Sequence, residues 1–132
     1  KADKNWKENM AKFGAYVVQE GSATPDITIL ASGSEVNMAL DAAKQVSGKS
    51  IRVVSVPDLK KFENLSKAEQ KKIMGDAKRV VCTEAGISME WLQFTDKENC
   101  FCLDNFGTSG PAKKVAEYFH FTADDLAKLL NK

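Results

Sequence analysis

The chain has few of the residues that make a reaction centre. Among 132 residues it carries one histidine, His120, and three cysteines, Cys82, Cys100 and Cys102. An odd number of cysteines with no zinc-type spacing argues against both a disulfide framework and a structural metal site. Small buried hydrophobes in a reducing compartment, the cytosol, are the expectation. Net charge is only +1, which removes the electrostatic reason to expect a nucleic-acid or acidic-membrane partner. The densest basic clusters, Lys60-Lys61 and Lys71-Lys72, are too short for a footprint and read as solvated helix faces. No stretch approaches the roughly 18 consecutive apolar residues of a membrane span. The polar opening Lys1-Ala2-Asp3-Lys4-Asn5-Trp6 shows no signal peptide. Neither G-x-x-x-x-G-K-[ST] nor G-x-G-x-x-G occurs, and there is no internal repeat.

What is present is an ordinary globular mixture, 43% hydrophobic and 28% charged, of a length that suits one domain with one core. Residues 1–13 read as a linker or lead-in helix from a preceding domain, and residues 14–132 as the domain proper. The missing initiator Met fits either a piece of a longer protein or processing.

Gly14 opens a short strand over 15–20, and the turn formers from Gly21 to Asp26 make a loop. The β-branched run Ile27-Thr28-Ile29-Leu30-Ala31 predicts a buried strand. Ser32-Gly33-Ser34-Glu35 then turns into a helix marked by Val36, Ala39, Leu40 and Ala43. Ser34 is its expected cap, and Gly48 its expected end. Ile51 to Val56 is the next strand, stopped by Pro57. Ser66-Lys67-Ala68-Glu69 has the capping-box spacing. Val80 to Thr83 is a strand closed by Glu84-Ala85-Gly86. Met89, Leu92 and Phe94 mark a short helix, and Cys100 to Leu103 a last strand. Gly107 to Pro111 leads into a helix with Ala112, Val115, Ala116 and Phe119 on one face. Thr122 caps a final helix with Ala123, Leu126, Ala127 and Leu130 inward. Strands separated by helices pair in parallel, so the expectation is a three-layer α/β/α sandwich of about five strands.

The search for chemistry leaves one place. Ligands of open α/β sheets bind beyond the carboxyl ends of strands, where the strand order reverses. Ser32, Gly33 and Ser34 end a strand at a helix N-terminus whose free N–H groups can hold an anion. Glu84 and Gly86 close another central strand and could face the same crevice. The competing reading is plain helix capping by serine. His120 near a helix end suits the helix dipole, and Asp124-Asp125 in a first helical turn do too. No catalytic, cofactor-binding or metal-binding residue is assigned.

Read in order, these motifs resemble the C-terminal domain of transketolases. Gly14-Ala15-Tyr16-Val17-Val18 is similar to its opening strand, and Asp26 to Val36 (DITILASGSEV) to its strand-turn-helix with G-S-E. Ile51 to Pro57 (IRVVSVP) is similar to its next strand, and Thr83 to Gly86 (TEAG) to the end of its fourth. Asn105 to Pro111 (NFGTSGP) resembles its F-G-x-S-A/G-P loop. Phe119-His120-Phe121-Thr122 stands where the family often has F-G-F-T. His120 replaces that glycine and inherits no role. Deoxyxylulose-phosphate synthases and 2-oxoacid dehydrogenase β subunits share the domain, but E-A-G and F-G-x-S-G-P favour transketolase.

The resemblance implies a five-stranded mixed sheet of order 1-3-2-4-5 with strand 1 antiparallel. It implies a parent enzyme that moves a two-carbon ketol unit between sugar phosphates, using thiamine diphosphate and a divalent metal. Those groups are bound by the preceding domains, and no G-D-G…N-N motif occurs here. The expected partners are those preceding thiamine-binding domains, within a parent homodimer, with no nucleic acid and no membrane. The expected role is structural and assembly, inactive alone. The alternatives are a regulatory small-anion or nucleotide-binding module at the crevice, and a free-standing interaction domain.

Overall fold

The computed structural model describes residues 5–22, 24–32, 35–84, 91–102 and 122–132, apart from the side chains of Lys97 and Cys102. Five strands form one sheet: β1 (Tyr16–Gln19), β2 (Ile27–Ala31), β3 (Ile51–Ser55), β4 (Arg79–Glu84) and β5 (Cys100–Cys102). Their order is β1-β3-β2-β4-β5. β2 pairs in parallel with β3 and β4, β4 in parallel with β5, and β1 antiparallel with β3. This is the architecture the resemblance implied. Every residue of β2 and β3 is buried, the signature of central strands covered on both faces.

The helices among the described residues are α1 (Trp6–Phe13), α2 (Val36–Lys44), α3 (Leu59–Glu63), α4 (Lys67–Met74) and α5 (Ala123–Leu130). On one face, Ala39, Ala42 and Ala43 of α2 and Leu126, Ala127 and Leu130 of α5 pack on Ile27, Ile29, Ile51, Val53 and Val81. The small alanines let α2 lie close to the sheet. Each buried leucine contributes about 1.5–3 kcal/mol relative to exposure. On the other face, Phe62, Ile73 and Trp91 pack on Leu30, Val54 and Cys82, with Phe13, Leu59 and Met74 beside them.

Local signals set several boundaries. Ser66 and Glu69 complete a reciprocal capping box at α4. The Thr122 hydroxyl accepts from the Asp125 N–H at the start of α5. Three expectations need correction. α2 ends at Lys44 and not at Gly48; Gly48, at φ +77°, belongs to the turn into β3. α3 was not anticipated. The segment expected to bury Leu92 instead exposes it and buries Trp91 completely. Met89 of that segment, Ser34 as a cap and the helix after Pro111 lie outside the described residues.

Candidate functional site

The strand order places the reversal between β2 and β4. The chain moves from β2 outward to β3 on one side, and from β4 outward to β5 on the other. The carboxyl ends of these two strands meet there, because the Ser32 N–H donates to the Thr83 carbonyl at 3.1 Å. The Val56 N–H donates to the Ala31 carbonyl at 2.8 Å on the opposite flank. Ser32 and Glu84 therefore reach the same end of the sheet. Gly33, Ser34 and Gly86 lie outside the described residues.

Two groups that the sequence reading did not select complete this end. Glu35, only 9% exposed, accepts a hydrogen bond through Oε2 from the Ser32 hydroxyl, and its N–H donates to the Ser32 carbonyl at 3.0 Å. Thr83 is fully buried, and among the described residues its hydroxyl has no hydrogen-bond partner. The three-residue spacing of Ser32 and Glu35 was a legible signal for the first; nothing local marks the second.

Chemically the arrangement is modest. A carboxylate that accepts from a serine hydroxyl orients it. Nucleophilic catalysis asks for a base itself oriented by a third group. The chain's one histidine, His120, lies outside the described residues. The Glu35 carboxylate at the start of α2 also places negative charge where the free N–H groups would otherwise favour an anion.

The two arginines, Arg52 and Arg79, are committed to the fold. A surface cleft of about 580 Å³ is lined by Arg79, Glu98, Asn99, Leu129 and Lys132. It lies by the amino end of β4, at the opposite end of the strands from the reversal. Its arginine donates Nε to Asn99 Oδ1 at 2.7 Å and Nη2 to the Leu129 carbonyl at 3.1 Å. Arg52 is likewise spent on backbone carbonyls. The Ser50 N–H, then Lys78, hold the Asp26 carboxyl below its ordinary value of 3.8. Its place between the β2 and β3 entry loops makes it structural. Among the described residues no three of His, Cys, Asp and Glu converge as a metal-ligand set, and no helix is long and apolar enough to cross a membrane.

Comparison with known proteins matches this architecture to one family. The model of the transketolase-like TK C-terminal domain matches residues 14–122. The transketolase of Treponema pallidum is 46% identical over 130 residues, covering 98% of this chain and 19% of that protein. A transketolase structure from Pichia stipitis superposes with a TM-score of 0.79 at 30% identity, covering 94% of this chain and 18% of that one. The Campylobacter jejuni transketolase superposes with a TM-score of 0.76 at 34% identity, covering 92% and 19% respectively. This chain thus spans about a fifth of the length of these relatives. A family match over most of the chain, together with the same five-stranded mixed sheet, shows that the protein belongs to the transketolase C-terminal domain family.

Proposed function

We propose that this chain serves as the structural and assembly domain of a cytosolic transketolase and catalyses nothing alone. In this reading the whole enzyme transfers a two-carbon ketol unit between sugar phosphates, as a homodimer. Thiamine diphosphate and a divalent metal would be held by the domains that precede this one; that group supplies a carbanion-stabilising centre for ketol transfer. Among the described residues no metal-ligand cluster comes together, so they do not fit the group.

The observation that carries the reading is the family match across residues 14–122. It is supported by how the potentially reactive groups are used. Arg52 and Arg79 hold backbone carbonyls, and Ser32 is bonded to Glu35. The other reading, an anion- or nucleotide-binding module built on Ser32, Gly33, Ser34, Glu84 and Gly86, draws support from the buried Thr83 hydroxyl. The Glu35 carboxylate at the same helix start opposes it.

The test is a ketol-transfer assay and a calorimetric titration on the purified chain. No turnover, and no heat on adding thiamine diphosphate with magnesium, are expected; turnover by the chain alone would end the proposal. Titration with inorganic phosphate and a nucleotide separates the second reading. Binding tighter than millimolar that Ser32→Ala weakens would favour it.

A further inference from the structure

The thiols are the reactive groups that the proposed function leaves unused, and the sheet register sorts them. β4 and β5 run parallel with Cys82 opposite Cys100, Thr83 opposite Phe101 and Glu84 opposite Cys102. Residues alternate faces along a strand, and those in register on neighbouring strands share one. Cys82, fully buried, and Cys100, half-buried, accordingly join the same core layer with Leu30, Phe62 and Trp91. Neighbouring strands lie about 4.8 Å apart. That falls within the roughly 4.4–6.8 Å that a disulfide accepts between α-carbons, and lies just above the roughly 3.5–4.5 Å it accepts between β-carbons, so closure draws the edge strand slightly toward β4. Cys102 has Glu84 as its register partner on β4, so the ladder brings Cys100, and not Cys102, opposite a second thiol.

We propose that Cys82 and Cys100 are a peroxide-responsive dithiol that closes into a cross-strand disulfide. Cys100 is the less buried and meets the oxidant. Its thiolate attacks one oxygen of hydrogen peroxide; a sulfur–oxygen bond forms, the oxygen–oxygen bond breaks, and the departing hydroxide takes up a proton to become water. The Cys82 sulfur then attacks the sulfenic sulfur of Cys100. The sulfur–sulfur bond forms and the sulfur–oxygen bond breaks. Hydroxide leaves with the proton that Cys82 gives up, as a second water. The two thiols together lose two electrons and the peroxide gains them. The product would tie the first residue of a three-residue edge strand to the inner strand β4, two residues before β4 ends at Glu84. Cys82 also supplies what a reversible oxidation needs, a resolving thiol next to the one that is attacked.

The experiment treats the whole chain with hydrogen peroxide, blocks remaining thiols with an alkylating agent under denaturing conditions, and maps peptides by mass spectrometry without reductant. The expected result is a monomer lacking two hydrogens, with Cys82 and Cys100 both protected from alkylation and joined in one cross-linked peptide pair. Dithiothreitol restores both thiols. Cys102→Ser keeps the cross-link and Cys100→Ser abolishes it; the second of these changes a half-buried position, so the test does not depend on altering buried Cys82. Alkylation of Cys82 and Cys100 after peroxide, a bridge mapped to Cys102, a bridge between two chains, or oxidation halted on Cys100 alone would each overturn the proposal.

Discussion

Replacing Arg52 by methionine should destabilise the chain far more than removing Glu20, although the two form an ion pair. The Arg52 guanidinium, 8% exposed, meets the Glu20 carboxylate, 70% exposed, at 3.4 Å. An exposed partner of this kind contributes about 0–1 kcal/mol. The stronger bonds go to carbonyls. Nε reaches Glu20 O at 2.8 Å, Nη1 reaches Ile73 O at 3.1 Å and Nη2 reaches Ser22 O at 3.2 Å. They fasten the end of α4 and the segment after β1 to the start of β3. Glu20 and Ser22 are exposed residues, so water can satisfy their carbonyls once the arginine is gone. Ile73 is 8% exposed, and its carbonyl would be left orphaned at a cost of about 1–3 kcal/mol. Adding two bonds that water partly replaces, and keeping the apolar stem as methionine, Arg52→Met should cost about 2–4 kcal/mol. Glu20→Ala should cost about 0.5 kcal/mol. Urea unfolding followed by far-ultraviolet circular dichroism measures both. Equal losses would mean that the ion pair, and not the carbonyl clamp, holds this corner.

Other consequences are as direct. Gly14 sits at φ +74° with its α-carbon turned toward the Asp58 carbonyl, whereas Gly48 at φ +77° faces open space; Gly14→Ala should therefore cost at least about 1–2 kcal/mol more than Gly48→Ala in the same urea assay. Leu130 is fully buried between α5 and the sheet, and Leu130→Ala should lower stability by about 2–5 kcal/mol. The Asp26 carboxylate is stabilised by the Ser50 N–H at 2.9 Å and by Lys78 at 3.4 Å, which holds its folded pKa below 3.8. The unfolded chain then binds the proton more tightly, so the contribution is complete above the ordinary carboxylate range and disappears as pH falls through the depressed folded value. Asp26→Asn should be less stable than the parent at neutral pH and converge with it in acid; a constant gap across a pH series of thermal melts would contradict this.

The sheet was legible because its strands announce themselves locally. Ile27 to Ala31 and Ile51 to Val56 are β-branched runs between turn formers, and central burial is what such runs require. The order β1-β3-β2-β4-β5 was not legible from periodicity; it came from the motif resemblance. Short and non-local features were missed. α3 is five residues long and shows too little period to be seen, although Asp58 accepts from the Lys61 N–H at 3.2 Å as an ordinary cap. Trp91, and not Leu92, fills the core because a few apolar residues do not fix a helical phase. At the candidate site, Ser32 and Glu84 were placed at one end of the sheet from strand ends alone. The buried state of Glu35 and the unpaired Thr83 hydroxyl depend on packing between distant segments, which no local pattern encodes. The clamp of Arg52 is hidden for the same reason, since its carbonyl partners lie 21 to 32 residues away in the chain.

A structural and assembly role for this domain has one decisive test. Ketol transfer should be measured for this chain, for the thiamine diphosphate-binding domains proposed to precede it, and for the two combined at equal concentration. No transfer by this chain is expected at any concentration, while its addition raises the activity or thermal stability of those domains. Sugar-phosphate turnover by this chain alone, or preceding domains indifferent to its presence in both readouts, would contradict it.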